Sequence, residues 1–378
     1  MYLSDYHTHS RLSFDAHAPL SELAEAAADA GLDELCVTDH FDFLDENGVP
    51  AEGYDWAPAV AQHQQALPAA GERLTLKLGL ELGMPHLNPA AAAAICARPE
   101  ADFILGSDPD ADRVGIMVRT SDGEFKVLTG NQTGVLLLDY LIGAKRRTGK
   151  MPENPVALKT IVTTEMARKV AEVNGLKCYD TFTGFKFLAE KKDKLENAGE
   201  GKVIFAYEES YGYMLGDYVR DKDAVTASML LTEMAAWYAA QGMTLFDALE
   251  KLYEKYGHYA EKTYNLVMPG LDGLKKMADL MANLREKPPV EIAGVGVLQQ
   301  KDYKDGSVVN VADGAKSTME LSGSNVLRYE MADGTSLIVR PSGTEPKVKV
   351  YILANDASRE ACDAKVAKYA VWAESLKK

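Results

Sequence analysis

Short apolar runs alternate with stretches of helical period from the N-terminus onward. Over the first hundred or so residues this pattern predicts a strand from Tyr2 to Tyr6 and a helix from Leu20 to Ala30, ended by Gly31. Strands from Glu34 to Thr38 and from Leu74 to Leu82 are predicted to follow, so this segment reads as a partial βα-repeat unit with a parallel sheet or barrel. A further apolar run, Ala101 to Gly106, predicts a strand that leads into an acidic loop.

Beyond that loop the pattern changes. Val114 to Val118 and Phe125 to Leu128 flank Ser121-Asp-Gly123, which predicts a hairpin, and a long apolar helix is expected from Val135 to Gly143. Val156 to Val162, Lys177 to Asp180 and Val203 to Tyr207 read as buried strands. Helical runs from Glu165 to Asn174 and from Phe185 to Glu196 separate them, so a second α/β domain is expected. The last third carries strands Ser336 to Val339 and Lys347 to Leu353, the mark of a smaller C-terminal α+β domain. The stretch from Leu271 to Arg285 is expected to connect these last two domains.

Composition narrows the function classes. With 378 residues, 47% of them hydrophobic, the chain can build two or three cores. A formal charge of −15 argues against a nucleic-acid partner, because phosphate-backbone binders carry a basic face. No apolar run approaches a membrane span and the first residues lack a signal-peptide pattern, so a cytoplasmic protein with no membrane partner is expected. Cys36, Cys96, Cys178 and Cys362 form no C-x-x-C pair and read as reduced core residues.

Four stretches carry candidate chemistry. Asp108-Pro-Asp-Ala-Asp-Arg113 aims Asp108, Asp110 and Asp112 at one spot, a set of hard oxygen donors suited to Mg²⁺ rather than an ordinary acidic turn. Arg113 beside three anions makes sense if a phosphate must sit on that metal. Glu208-Glu-Ser210, at the end of a predicted strand, offers acceptors for vicinal sugar hydroxyls. Arg340-Pro-Ser-Gly-Thr344 combines a guanidinium, two hydroxyls and freed backbone N–H groups into an anion nest, with Arg340, Ser342, Gly343 and Thr344 as candidate phosphate ligands. In the N-terminal segment, His7, His9, His40 and Glu81 lie at or near successive strand ends and fit a metal cluster.

Two resemblances follow from these motifs. Asp5-Tyr-His-Thr-His-Ser10, Val37-Thr-Asp-His40 and Gly79-Leu-Glu81 resemble the opening of the PHP family of metal-dependent phosphoesterases, histidinol-phosphatases in particular. That resemblance covers residues 1–107 and implies a distorted barrel with Mn²⁺ or Zn²⁺ at His7, His9, His40 and Glu81. The family's later ligands are missing, since His258 is the only histidine after His86.

From about residue 101 to the end the chain resembles the α-D-phosphohexomutases, the phosphoglucomutase and phosphomannomutase family. Asp108 to Arg113 matches that family's metal loop, Glu208 to Ser210 its sugar-specificity loop and Arg340 to Thr344 its phosphate loop. Thr183-Gly-Phe-Lys186 matches a further substrate loop, which adds Thr183, Gly184 and Lys186 to the binding set. Thr160 to Thr164, Tyr207 to Tyr213 and Val219-Arg-Asp-Lys-Asp223 make bacterial phosphoglucomutases the nearest type. The resemblance implies Mg²⁺ at the aspartates, Arg113 assisting, and glucose 1-phosphate or glucose 6-phosphate as partner.

The expected arrangement is therefore a chimera joined at a shared strand. Residues 1–107 form a truncated PHP-like segment, 108–265 the end of mutase domain 2 plus domain 3, and 266–378 the C-terminal mutase domain. The family's phosphoserine lies in a Ser-His-Asn loop, and no Ser-His-Asn occurs in these 378 residues. An inactive or impaired mutase is the first expectation. A histidinol-phosphate phosphatase and a non-catalytic phosphosugar-binding module are the alternatives.

Overall fold

The computed structural model describes residues 2–43, 54–83, 92, 94–95, 101–217, 219–270, 272–343 and 346–377. The chain divides into two compact units, Met1–Ala101 and Asp102–Lys378.

In the first unit the elements run β1 (Ser4–Thr8), α1 (Leu20–Asp29), β2 (Glu34–Val37), β3 (His40–Asp42), α2 (Ala57–Ala70), β4 (Thr75–Leu78) and β5 (Glu81–Gly83). Strands β1, β2 and β4 form a parallel sheet in that order, and β3 pairs in parallel with β5. The central strand β2 is buried along its whole length, as a strand covered on both faces must be. Leu20, Ala24 and Ala27 of α1 and Ala66 and Ala70 of α2 pack with Leu35, Val37 and Leu76. Helix α2 went unpredicted because its sequence, Ala-Pro-Ala-Val-Ala-Gln-His-Gln-Gln-Ala-Leu-Pro-Ala-Ala, has little apolar periodicity and carries Pro68 near its end. The single strand expected from Leu74 to Leu82 is two strands in different sheets, β4 beside β2 and β5 beside β3. Among the described residues the strands form open sheets.

The second unit begins with β6 (Phe103–Ser107), β7 (Val114–Arg119) and β8 (Phe125–Leu128), an antiparallel sheet. Helix α3 (Gly130–Arg147) follows, longer at both ends than its apolar centre suggested. Thr129 caps it in a reciprocal box with Gln132, and Lys145, Arg146 and Arg147 complement its C-terminal dipole. The middle domain then alternates β9 (Pro155–Thr160), α4 (Glu165–Val173), β10 (Lys177–Thr181), α5 (Phe185–Asn197), β11 (Lys202–Glu208), β12 (Gly212–Met214), α6 (Ala224–Ala239) and α7 (Leu245–Tyr256). Its sheet order is β10-β9-β11-β12, parallel except for β12. Val156, Leu158 and Val203 face Phe185 and Leu188 of α5 on one side. Ala157, Phe205 and Tyr207 face α3 and α4 on the other, so helices cover both faces.

The C-terminal domain comprises β13 (His258–Val267), α8 (Gly273–Glu286), β14 (Glu291–Ile292), β15 (Val295–Asp302), β16 (Ser307–Asn310), β17 (Lys316–Thr318), β18 (Leu327–Met331), β19 (Ser336–Pro341), β20 (Lys347–Asp356) and α9 (Arg359–Ser375). Its sheet runs β13-β20-β19-β18-β15-β16-β17. The period of two sorts the side chains cleanly. Leu337, Val339, Val348, Val350 and Ile352 pack with Met277 and Met281 of α8 and Tyr369 of α9. Ile338, Tyr351 and Leu353 point the other way, against Ile161 and Val162 of the middle domain. The sequence pattern led us to expect this stretch to connect two domains; instead helix α8 is part of this domain's core. The division expected at 265/266 falls inside β13, which pairs with β20 from His258 onward. No described helix is long and apolar enough to cross a membrane.

Two measurements probe this packing. Helix α3 crosses β11 so closely that a Cβ on Gly134 would lie 2.0 Å from the Tyr207 ring. Gly134→Ala is therefore expected to lower the urea midpoint by an amount equivalent to about 1–3 kcal/mol, the usual cost of overpacking. The second concerns Glu261 on β13, whose carboxyl is hydrogen-bonded by Thr164 and Asn131. Burial pushes its pKa up to about 7, against the lowering influence of Thr164 and Lys159. An acid with a raised folded-state pKa contributes stability below its unfolded value, and that contribution fades as pH rises through the folded value. The urea midpoint should fall between pH 5 and pH 8 by more in the native protein than in Glu261→Gln, and equal pH dependence would contradict this assignment.

Candidate functional site

Two clusters of side chains form in the first unit. His7 Nε2 and His9 Nε2 lie 2.9 and 3.2 Å from Glu81 Oε2, and His9 Nδ1 lies 2.8 Å from Asp15 Oδ2. His40 Nε2 is 3.5 Å from the same Asp15 oxygen, and its Nδ1 is 3.8 Å from Glu81 Oε1. The four residues expected from sequence do come together. Asp15 joins them and was missed, although it stands only six positions after His9. Its carboxyl pKa is lowered to about 2, first by the Ser13 hydroxyl and then, against burial, by His9. His7, His9 and Glu81 form one set of donors close enough to share an ion, and His9, Asp15 and His40 another. His40 Nδ1 is buried with no hydrogen-bond partner. A ring nitrogen left unpaired beside carboxylates fits a transition-metal ligand. Asp39 underlies this geometry, accepting from Ser10 N–H at 2.5 Å and from Ser10 Oγ at 2.7 Å, which fixes the chain just after His9.

In the second unit, the loop between β6 and β7 is wound around one carboxylate. Asp108 Oδ1 accepts N–H bonds from Asp112 at 3.2 Å and Arg113 at 2.9 Å, and Ala111 takes a φ of 53° to close the turn. The Arg113 N–H holds the Asp108 pKa below its ordinary value despite partial desolvation. Oxygens of Asp108, Asp110 and Asp112 lie within 4.8 Å of one another. Asp112 Oδ1 is buried without a hydrogen bond. Three hard oxygen donors, one of them unsatisfied, fit a small divalent cation such as Mg²⁺.

The Thr183–Lys186 and Glu208–Ser210 candidates lie at the C-terminal ends of the parallel strands in the middle domain, the edge where sites form in open α/β sheets. Glu208, at the end of β11, is buried and accepts the Gly184 N–H at 2.5 Å. This contact joins the Thr183–Lys186 loop after β10 to the Glu208–Ser210 loop. Glu209 turns to Thr160 and Thr163 after β9, with its oxygen 3.4 Å from each hydroxyl. Burial, then the neighbouring Glu208, raises its pKa. Lys186 extends outward over the Phe187 ring.

Arg340 sits near the tip of the β19–β20 hairpin, opposite Lys349, and the Ser342 N–H closes the turn on the Lys347 carbonyl at 2.8 Å. Around Gly343 the space is open. Thr344 lies outside the described residues. The phenol of Tyr351 is hydrogen-bonded by Arg340, and its pKa is pushed up to about 12 by burial and then by Glu209. Arg340 and Glu209 thus both act on the Tyr351 phenol, a role that a strand tyrosine does not advertise in sequence.

Beneath these loops lies a buried ionic network. Lys159 on β9 is fully enclosed, 2.9 Å from Asp180 and 3.2 Å from Glu165. Arg328 reaches from β18 to Glu165 at 3.2 Å and Glu330 at 2.8 Å. Burial opposes both cations, and the carboxylates more than restore their charge, so each pKa is raised. Arg328 Nη1 also donates to the Ile161 carbonyl at 3.4 Å, which pins the C-terminal sheet to the loop after β9.

The second unit thus combines an α/β domain and an α+β domain with an acidic loop, a glutamate loop and an arginine hairpin. Residues 129–256 match the phosphoglucomutase/phosphomannomutase α/β/α domain III, and residues 266–368 match the C-terminal domain of the same proteins. Residues 5–155 match the PHP domain, which overlaps the start of the domain III match. The chain thus carries domains of the phosphoglucomutase/phosphomannomutase family together with a PHP-domain segment. A phosphoglucomutase of Staphylococcus aureus (strain N315) is 36% identical over 261 residues, which is 69% of this chain and 46% of that protein. The chain therefore spans about half the length of the curated relatives it matches. A putative phosphomannomutase from Thermus thermophilus shares the fold with a TM-score of 0.50 at 19% identity, covering 96% of this chain and 67% of that one. The Paramecium phosphoglucomutase pp63/parafusin, in its open form, also gives 0.50, at 18% identity over 73% of this chain and 45% of that one.

For the histidine cluster, the test is Asp39, which touches no candidate ligand atom yet anchors the chain beside both His9 and His40. Asp39→Ala is expected to weaken Zn²⁺ binding about 10–100-fold, measured by competition with a chelating dye. An unchanged affinity would mean that the histidine geometry is set elsewhere.

Proposed function

We propose that residues 102–378 bind a hexose 1- or 6-phosphate and do not turn it over. The observation that carries this reading is the Gly184 N–H to Glu208 bond at 2.5 Å, which joins two strand-end loops into one wall. Glu208 and Ser210 face the sugar hydroxyls in this reading, while Thr183 and Lys186 border the ring. Arg340, Ser342, Gly343 and Thr344 grip the phosphate that does not react, the guanidinium supplying a bidentate charge-assisted pair. Asp108, Asp110 and Asp112 hold Mg²⁺, and Arg113 stays within reach of a phosphate oxygen. Mg²⁺ bound there supplies neutralisation of phosphate charge. Family kinship supports a hexose phosphate as ligand, and the matched phosphoglucomutases favour glucose.

Catalysis is a separate matter. The residues that grip substrate are present in this chain, whereas no Ser-His-Asn occurs in it to accept and return a phosphoryl group. Binding and turnover therefore come apart. A second reading rests on the orphaned His40 Nδ1 among His7, His9, Asp15 and Glu81, a donor set suited to Mn²⁺- or Zn²⁺-assisted phosphomonoester hydrolysis.

Calorimetric titration with glucose 1-phosphate and glucose 6-phosphate should give saturable binding, and Arg340→Ala should weaken it by about 1.5–3 kcal/mol. Mutase activity with a hexose-bisphosphate activator should remain at background. Robust conversion of glucose 1-phosphate, abolished by Asp110→Ala, would overturn this reading and point to another hydroxyl, with Ser107 the first to test.

A further inference from the structure

The acidic loop is not left to its own charges. Lys222 Nζ lies 2.7 Å from Asp112 Oδ2, with only 13% of the lysine side chain exposed. Its stem lies flat on the backbone of Gly212, where an added Cβ would come 2.8 Å from Lys222 Cδ. The ammonium stands 5.5 Å from the Phe185 ring, and Asp221, its other acidic neighbour at 3.3 Å, is largely exposed. Backbone bonds tie the same segment to the acidic loop and to β12: Ala224 N–H donates to the Ala111 carbonyl at 3.1 Å and Asp223 N–H to the Tyr213 carbonyl at 3.1 Å. Lys222 is therefore held against Asp112 by packing as well as by charge.

Three carboxylates within 4.8 Å repel one another strongly when no cation is bound. Arg113 answers part of that, with Nη1 3.4 Å from Asp108 Oδ2 and 3.6 Å from Asp112 Oδ1. Lys222 adds a second positive charge, on Asp112 Oδ2, whereas Arg113 pairs with Oδ1. The two Asp112 oxygens thus differ: Oδ2 is committed to Lys222, and Oδ1 is buried and without a hydrogen bond.

We propose that Lys222 is the resident counter-ion of the acidic loop, a positioning residue that keeps the loop formed without metal and competes with a divalent cation for Asp112. The inference rests on the reading of the loop as a cation site, but its first half stands without it. Two effects of opposite sign decide the second half. Removing Lys222 costs the loop some preorganisation, yet it also removes a positive charge held close to any incoming dication. At such separations the repulsion between an ammonium and a dication survives even a surface-like dielectric. Repulsion is the larger effect, so the native protein binds a dication more weakly than the bare aspartates would.

The test uses the full chain with metal removed. Lys222→Met should lower the melting temperature, and adding Asp112→Asn should restore most of it, because the second change removes the charge left unpaired. Lys222→Arg should behave as native. Mn²⁺ titrated into Lys222→Met and followed by electron paramagnetic resonance should bind about tenfold more tightly than to the native chain. A double substitution no more stable than Lys222→Met would overturn the counter-ion role. Coupling between the two residues with equal or weaker Mn²⁺ binding would overturn the competition. Coupling with no Mn²⁺ bound by any variant would uphold the counter-ion role and reject the loop as a cation site.

Discussion

Lys159 is a fully enclosed cation on β9, a central strand of the middle sheet, and the geometry of the candidate phosphosugar site follows from how that charge is satisfied. A buried ammonium is tolerated only with paired carboxylates, which Asp180 of β10 and Glu165 of α4 provide. Glu165 is then shared with Arg328 of the C-terminal sheet, so one carboxylate serves two domains. The loop after β9 cannot shift without breaking a charge pair, and the loops after β10 and β11 are built against it. This network makes the relative placement of Glu208 and Arg340 a consequence of electrostatics as well as apolar packing.

Apolar packing supplies the rest of that placement. Ile338, Tyr351 and Leu353 lie on the face of the C-terminal sheet opposite its helices and meet Ile161 and Val162. The same strand, β20, carries Tyr351, whose hydroxyl accepts from Arg340 while its ring fills the domain junction. A residue that packs and hydrogen-bonds at once transmits position between core and site. The acidic loop is joined in turn by backbone bonds from Val114 N–H to the Tyr211 carbonyl and from Ala224 N–H to the Ala111 carbonyl. Ala111 and Tyr211 both have positive φ without being glycine, which places backbone strain in the two loops read as binding elements.

The N-terminal unit follows a different logic. Its two short parallel sheets set His7 and His9 at the end of β1 and His40 and Glu81 at the starts of β3 and β5, and Asp39 serves as a buried strut that holds Ser10. Two donor sets therefore coexist in one chain: imidazoles with carboxylates in one unit, and carboxylates alone in the acidic loop of the other.

Local sequence determined the elements whose signal is local. The buried strands of the middle sheet, the hairpin around Ser121-Asp-Gly123 and the helix stopped by Gly175 were legible because a period of 2 or 3.6 and a glycine stop depend only on near neighbours. The acidic loop, the Glu208 loop and the arginine hairpin also fall at the strand ends where the sequence placed them. Helix α2 was not legible, because alanines and glutamines give no periodic stripe. Nor was the membership of α8 in the C-terminal core, since an amphipathic pattern does not say which sheet it will cover. Lys222, Tyr351 and the Lys159–Glu165–Arg328 network were beyond reach for one reason. Their roles arise from charges and rings brought together across tens to hundreds of residues, and only the tertiary structure sets those distances.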